Sequence, residues 1–426
     1  MDNRIEKLKN YLDSAHSVFH AVDGIVKELE SAGYAPLREK ESWQLEKGGK
    51  YYVTRGGAAV MAFRIPEGQP QGFMMSASHA DRPTFKIKEN AELVGKYTRL
   101  AVERYGGMLM APWLDRPLSV AGRCMVQTET GVRSSLVDID KDLLLIPNVA
   151  IHMNRQVNDG FKWNPAVDLL PLAGGKDAKG KFDAMLEEAA GGKILGHDLY
   201  LYIRQKASVW GLEEEFFSSA ALDDLACAWS CAMGFLDSKE SESIPVLCVF
   251  DSEEVGSSSL QGAASDLLEA VLSRVCTAMG LNLQQMLAQS FMVSADNGHA
   301  IHPNHPEFAD PTNAPVVNEG LMLKFNANQK YCTDGVSASV FRSICAKAQV
   351  SVQTYCNRAD IAGGSTLGNI SLGHVSVPTV DIGLPQLAMH SCYETVGVKD
   401  LMDLQQAMTC FYSSALEWND DTITVK

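Results

Sequence analysis

No apolar run in this chain approaches the length of a membrane span, and it contains no CxxC pair, no HExxH and no glycine-rich loop ending in Lys-Ser/Thr. These absences argue against a transmembrane helix, a zinc knuckle or thioredoxin-like redox pair, a helical zinc-protease motif and a P-loop nucleotide site. Positive charge is also in short supply. With 37 Lys and Arg against 52 Asp and Glu, the net charge is -15, the reverse of what a nucleic-acid or anionic-membrane partner calls for. The ten cysteines are scattered without regular spacing. Cys227 and Cys231 lie one helical turn apart among apolar neighbours and read as buried thiols, so a reduced, cytoplasmic protein is expected. The opening Met1–Lys7 starts an amphipathic helix and not a signal peptide.

What is present is an ordinary globular composition, 46% hydrophobic and 21% charged, over 426 residues. That length exceeds what a single core usually serves, which predicts two domains. A helical pattern over 4–33 is interrupted at 14–20. A hairpin turns at Gly56-Gly57, and Phe73–Ser78 is the next strand. From about residue 86 short strand candidates (118–126, 143–151, 199–204) alternate with turns, and a Gly-, Lys- and Ala-rich loop fills 172–196. Strand-helix alternation resumes near Leu222 with helices at 222–237, 263–279, 335–348 and 399–417 and strands at 244–250, 291–295, 321–325, 350–355 and 377–382. The pattern predicts an α/β fold with a mixed sheet and helices on both faces. That domain is discontinuous (1–86 and 221–426), with a β-rich domain inserted at 87–220.

The stretch Val246–Ser257 carries the strongest chemical signal. The apolar strand Val246–Phe250 breaks into Asp251-Ser252-Glu253-Glu254 and a glycine turn, and in open α/β sheets catalytic groups gather at strand carboxyl ends. A bare Glu-Glu pair is by frequency a solvated loop, so partners decide. His79 ends the strand at 73–78, and Asp81 two residues later could orient its imidazole. Asp223 opens a helix, where an N-cap is the plain alternative. Asp296 closes the strand at 291–295, and His390 follows the strand at 377–382. Two divalent ions about 3.5–4 Å apart need a bridging carboxylate and end ligands. His79 and Asp223 could hold one ion and Glu254 and His390 the other, with Asp296 on one side, Asp223 bridging and Glu253 free as a base. Nitrogen and oxygen donors without thiolate suit zinc, cobalt or manganese. Pro303 denies His299–His305 a helical zinc face, and Gly363–Gly368 reads as a turn against substrate.

Taken together, Ser78–Pro83, Leu222-Asp223-Asp224, Glu253–Ser257, Ser294–Asp296 with His299–Asn304, and Pro385–Ser391 resemble the aspartyl aminopeptidase family, co-catalytic metallopeptidases related to the tetrahedral aminopeptidases. Further matches at Ala15–Val22, Asp115-Arg116, Ile146–Arg155, Lys324–Tyr331 and Gly363–Gly368 extend the resemblance over nearly the whole chain in the same order. It implies removal of N-terminal Asp or Glu from peptides, two ions per subunit with zinc foremost, and an inserted β domain that mediates dimerisation. It also implies a homo-oligomer, a hollow dodecamer built from dimers. His152 would then reach a partner subunit's metal site and bond the developing oxyanion. Lys324, a cation inside the apolar strand 321–325, would receive the acidic side chain, with Arg358 as the other candidate and an edge-strand lysine turned to water as the plain alternative. Arg82 stands where the family has a small residue, and Asp224 where it has Asn. Two rivals stay in view: a di-metal deacylase or amidase acting on N-acyl amino acids, and a catalytically silent oligomeric binding protein.

Overall fold

The computed structural model describes residues 2–426; of the amphipathic start expected at Met1–Lys7, only Met1 lies outside them. Two helices, Asn3–Leu12 and Val18–Ser31, open the chain. Ile5, Leu8 and Leu12 recur on one face of the first and are buried. Ser17 caps the second through the His20 amide, which accounts for the break in the helical pattern at 14–20. The fold is mixed α/β.

A nine-stranded sheet forms the centre. Its order is 35–36, 50–55, 59–64, 244–250, 73–79, 291–295, 379–383, 321–325 and 352–356. The four strands 244–250, 73–79, 291–295 and 379–383 run parallel to one another, so their carboxyl ends share one edge. His79 lies beside Phe250 in register. Burial on both faces explains their continuous apolar runs. One face packs helices Leu222–Asp237, Gly335–Ala348 and Val398–Tyr412 with the two N-terminal helices. The other packs Leu267–Met279 with Trp43 and Leu367.

Residues 84–203 contribute a second, six-stranded antiparallel sheet around its own core, which includes Phe85, Trp113 and Leu199. Two expectations fail here. No strand forms at 143–151: only Leu144 and Leu145 make isolated bridges, and 151–153 is a turn. The supposed loop at 172–196 holds a strand, Leu172–Gly175, and a helix, Lys181–Ala190. That helix starts at Gly180 and ends at Gly191, both left-handed and without a side-chain cap, so its ends read as loop. Strands Thr84–Val94, Tyr97–Tyr105 and Gly131–Asp138 carried too many polar residues to stand out. Strands Ser208–Trp210 and Phe216–Ser219 fall within 87–220 but join a third sheet with Glu394–Gly397, Pro385–Leu387 and Gly298–His299. Among the described residues, no helix is long and apolar enough to cross a membrane.

Candidate metal centre

The parallel strands deliver their terminal residues to one spot. His79 ends one strand, Glu253 and Glu254 follow its neighbour, and Asp296 follows the strand on its other side. Gly383 allows this closeness, because a Cβ there would collide with the Asp296 carbonyl oxygen. Asp223 enters from the helix Leu222–Asp237, yet Asp223 and Asp224 have non-helical backbone angles. Their carboxylates are thereby turned into the site instead of capping the helix.

Asp223 faces both imidazoles. Its Oδ1 lies 3.5 Å from His79 Nε2 and its Oδ2 lies 3.4 Å from His390 Nε2. His390 Nε2 is also 3.5 Å from Glu254 Oε2, and His79 Nε2 is 3.9 Å from Glu253 Oε2. On its other side His79 Nδ1 meets Asp81, 3.3 Å from Oδ1 and 3.2 Å from the carbonyl oxygen. This leaves Nε2 towards the acids, the arrangement in which a carboxylate fixes a ligating imidazole. Asp81 also accepts the amides of Glu253 (3.1 Å) and Glu254 (3.2 Å) and the Tyr105 hydroxyl (2.8 Å). Ser252 and His390 hold positive φ, 65° and 64°, a conformation rare for non-glycine residues and concentrated at functional sites.

The electrostatics are those of an acid cluster short of counter-charge. Burial pushes the Glu253 carboxyl up to about 8 and the Asp296 carboxyl up to about 6, the latter against the pull of Lys324. Burial, with Asp223 adding repulsion, drives Glu254 well above the ordinary range. Burial also opposes the charge on Asp223, but His390 and His79 hold its carboxyl low. Asp223 Oδ1, Asp224 Oδ1 and Glu254 Oε1 are buried and accept no hydrogen bond. Such orphaned oxygens are costly unless a cation takes them. His79, Asp223 and Glu254 present donor atoms within 4.8 Å of one another, and so do Asp223, Asp224 and Asp296. The residues therefore fit divalent ions. The two glutamates differ in access: the Glu253 side chain is 15% exposed and that of Glu254 4%.

His152 stands apart, exposed on the turn at 151–153 of the same chain. Lys324 is 2% exposed on an interior strand, between 379–383 and 352–356, so the alternative of an edge lysine turned to water is excluded. Its Nζ donates to the Asn297 carbonyl at 3.0 Å and lies 3.9 Å from Asp296 Oδ1. Arg358 lines a cavity of about 290 Å³, shared with His299, Tyr355 and Met389, but is paired with Asp360 at 2.6 Å. The segment 299–305 gives no three-donor cluster among the described residues. Asp224, read from sequence only as a departure, lies inside the acid cluster and accepts the His79 amide at 3.2 Å; the Asp-Asp pair was the available signal. Two further residues went unread. Glu394 lies four positions after His390 in a short strand, and Tyr105 closes a strand of the inserted sheet.

Comparison with known proteins resolves the lineage. A family model described as "Aminopeptidase I zinc metalloprotease (M18)" matches residues 11–412. The chain belongs to the M18 family. It is thus a metal-dependent aminopeptidase by descent, in line with the resemblance seen in its motifs. A probable M18 family aminopeptidase 2 of Clostridium novyi is 42% identical over 419 residues, spanning 94% of this chain and 97% of that protein. One from Ectopseudomonas mendocina is 38% identical, over 96% and 98% of the two chains. Among solved structures, the cryo-EM structure of the Ape4 and Nbr1 complex superposes with a TM-score of 0.92 at 32% identity, covering 96% of this chain and 85% of that one. The S. cerevisiae mApe1 dodecamer superposes with a TM-score of 0.85 at 26% identity, covering 96% of each.

Proposed function

We propose that this M18 member removes N-terminal residues from peptides, preferring Asp or Glu, with two divalent ions held by His79, Asp223, Glu254, Asp296 and His390. The observation that carries the reading is Asp223, whose two oxygens face one imidazole each while Asp224 and Glu254 each keep a buried oxygen without a partner. Two ions there would polarise the scissile carbonyl and acidify a water, with zinc favoured by the family and cobalt or manganese suited to the same donors. Asp223 would bridge, His79 and Asp296 would serve one side, and Glu254 and His390 the other.

Glu253 is the general base in this scheme. It is the more accessible of the pair and lies 3.9 Å from His79 Nε2, next to the proposed ions and open to a water. Asp81 orients His79 and fixes both glutamate amides. For an acidic N-terminal side chain the site needs a buried cation, and Lys324 is one, although Asp296 already claims part of its charge. Arg358, at the rim of the cavity, is the second candidate.

The active unit in this reading is a homo-oligomer, a dodecamer built from dimers, in which His152 serves a neighbouring subunit's site and stabilises the oxyanion. Support comes from the side chains around it: Val149, Ile151 and Met153 are exposed by 53%, 47% and 82%, an apolar surface suited to burial against a second copy. All ten cysteines are free, consistent with a reducing, cytoplasmic setting. The test is metal analysis of the purified protein, followed by an acidic dipeptide, its N-acetylated form and a panel of N-terminal residues. Cleavage of the free dipeptide with two ions bound is expected. Preferential cleavage of the acetylated form would favour a deacylase, and neither product would favour a silent binding protein.

A further inference from the structure

Glu394 is 1% exposed, and both of its carboxylate oxygens are committed to backbone amides of the site. Oε2 accepts from Asp223 N at 3.0 Å, and Oε1 accepts from His390 N at 2.7 Å. With both oxygens turned to backbone amides, Glu394 stands behind the ligands and belongs to neither three-donor cluster. The two amides belong to residues whose backbones are irregular where they reach the site: His390 has φ of 64°, and Asp223 has φ of -87° and ψ of 105° at the head of a helix. The His390 conformation is one that persists only when its surroundings hold it, whereas the Asp223 angles are extended backbone that departs from the helix it heads. Glu394 supplies that hold to both at once, joining two segments distant in sequence. Arg82 lines the same small cavity as Glu394 and Asp223, placing a cation beside the buried acid.

We infer that Glu394 is a positioning residue that fixes the His390 side of the metal centre. The inference rests on the two-ion reading above and extends it. Glu394 holds His390, proposed for one ion only, and Asp223, proposed to bridge both, but hydrogen-bonds neither His79 nor Asp296, so losing its grip should loosen the ion on the His390 side more than the other.

The decisive variant is Glu394→Gln, which keeps the shape but turns one acceptor into an NH2 group facing an N–H. Metal content under a competing chelator, the dissociation constant of each ion, and kcat and KM are measured for parent and variant. The parent is expected to hold two ions. Glu394→Gln should bind the ion on the His390 side about 10–100-fold more weakly, as loss of an outer partner of a ligand typically does, with a smaller loss at the other ion, which shares only Asp223. Its kcat should fall by a similar factor with KM within about twofold, and excess metal should restore turnover. Unchanged affinity and kcat, or equal loosening of both ions, would overturn the inference. Failure of both Glu394→Gln and Glu394→Asp to fold would also overturn it, assigning Glu394 to the fold. A parent that binds no ion would instead defeat the proposed function.

Discussion

At the carboxyl edge of the nine-stranded sheet, buried acids outnumber their partners, whereas in the six-stranded sheet partly exposed acids are matched. Asp198, on the strand Ile194–Ile203, lies 3.1 Å from Lys86 and 2.7 Å from Arg123. These contacts hold its carboxyl below the ordinary range although burial opposes its charge. Asp138 likewise has His16 at 2.7 Å and accepts the Tyr202 hydroxyl at 2.7 Å. Asp223, Asp224 and Glu254 each keep an orphaned oxygen, and Glu253 is pushed up to about 8. Both regions contain carboxylates beside histidines. What separates them is satisfaction: a matched acid is explained by its own neighbours, and an unmatched buried acid requires a cation from outside.

The comparison is tested most severely by removing metal. Exhaustive chelation should abolish activity and lower the melting temperature, with each ion contributing about 4 kcal/mol when supplied at a thousand times its dissociation constant. It should also create a pH slope. Without ions the folded Glu253 keeps its proton until about pH 8, while the unfolded carboxyl releases it near 4.5. Folding therefore binds protons across that window, and the stability of the metal-free protein should fall as pH rises from about 5 to 8. Calorimetry at several pH values, with and without ions, checks both; a metal-free protein as stable as the loaded one would remove the distinction between the two regions.

Within the edge itself, Glu253→Gln should cut kcat by about 10²–10⁴-fold with metal content unchanged, the usual weight of a general base. Glu254→Gln should lose metal as well as activity. Equal metal loss in the two variants would erase the difference in role. Lys324→Met should cost acidic substrates about 2–5 kcal/mol of transition-state binding while cleavage of Ala- or Leu-initiated peptides stays level or rises. A parallel fall for acidic and neutral substrates would mark Lys324 as the counter-ion of Asp296 and move attention to Arg358. If His152 acts across subunits, mixing His152→Ala with Glu253→Gln chains should restore part of the activity that each lacks alone. The smallest effect belongs to the matched region: Asp198→Asn should cost stability by about 1–2 kcal/mol and leave kcat and metal content unchanged in paired melting and rate measurements.

Much of this contrast is visible before folding. His79, Glu253, Glu254 and Asp296 all follow short apolar runs, and runs of that kind announce where a buried strand ends. His390 and Asp223 are placed by the same alternation of strand and helix. Glu394 and Tyr105 could not be read in that way. Glu394 sits in a strand of a different sheet, and although one of its bonds goes to His390 nearby, the other goes to the amide of Asp223, far away in the chain. Tyr105 lies in the inserted sheet, yet donates to Asp81 at 2.8 Å. The inserted sheet as a whole was harder to parse because strands such as Gly131–Asp138 are largely exposed and lack a clean apolar alternation.

The sequence by itself determined the α/β pattern, the strand-end placement of the acids and histidines, and membership of the M18 family, because periodicity and short motifs are local properties that survive in one dimension. Only the tertiary structure decided that the two oxygens of Asp223 face two different imidazoles, that Asp224 joins the cluster, and that Glu394 pins Asp223 and His390 together. It also decided that Lys324 is interior and not on an edge. Those facts depend on which strands become neighbours and on which buried polar atoms are left unpaired, and both are settled by long-range packing.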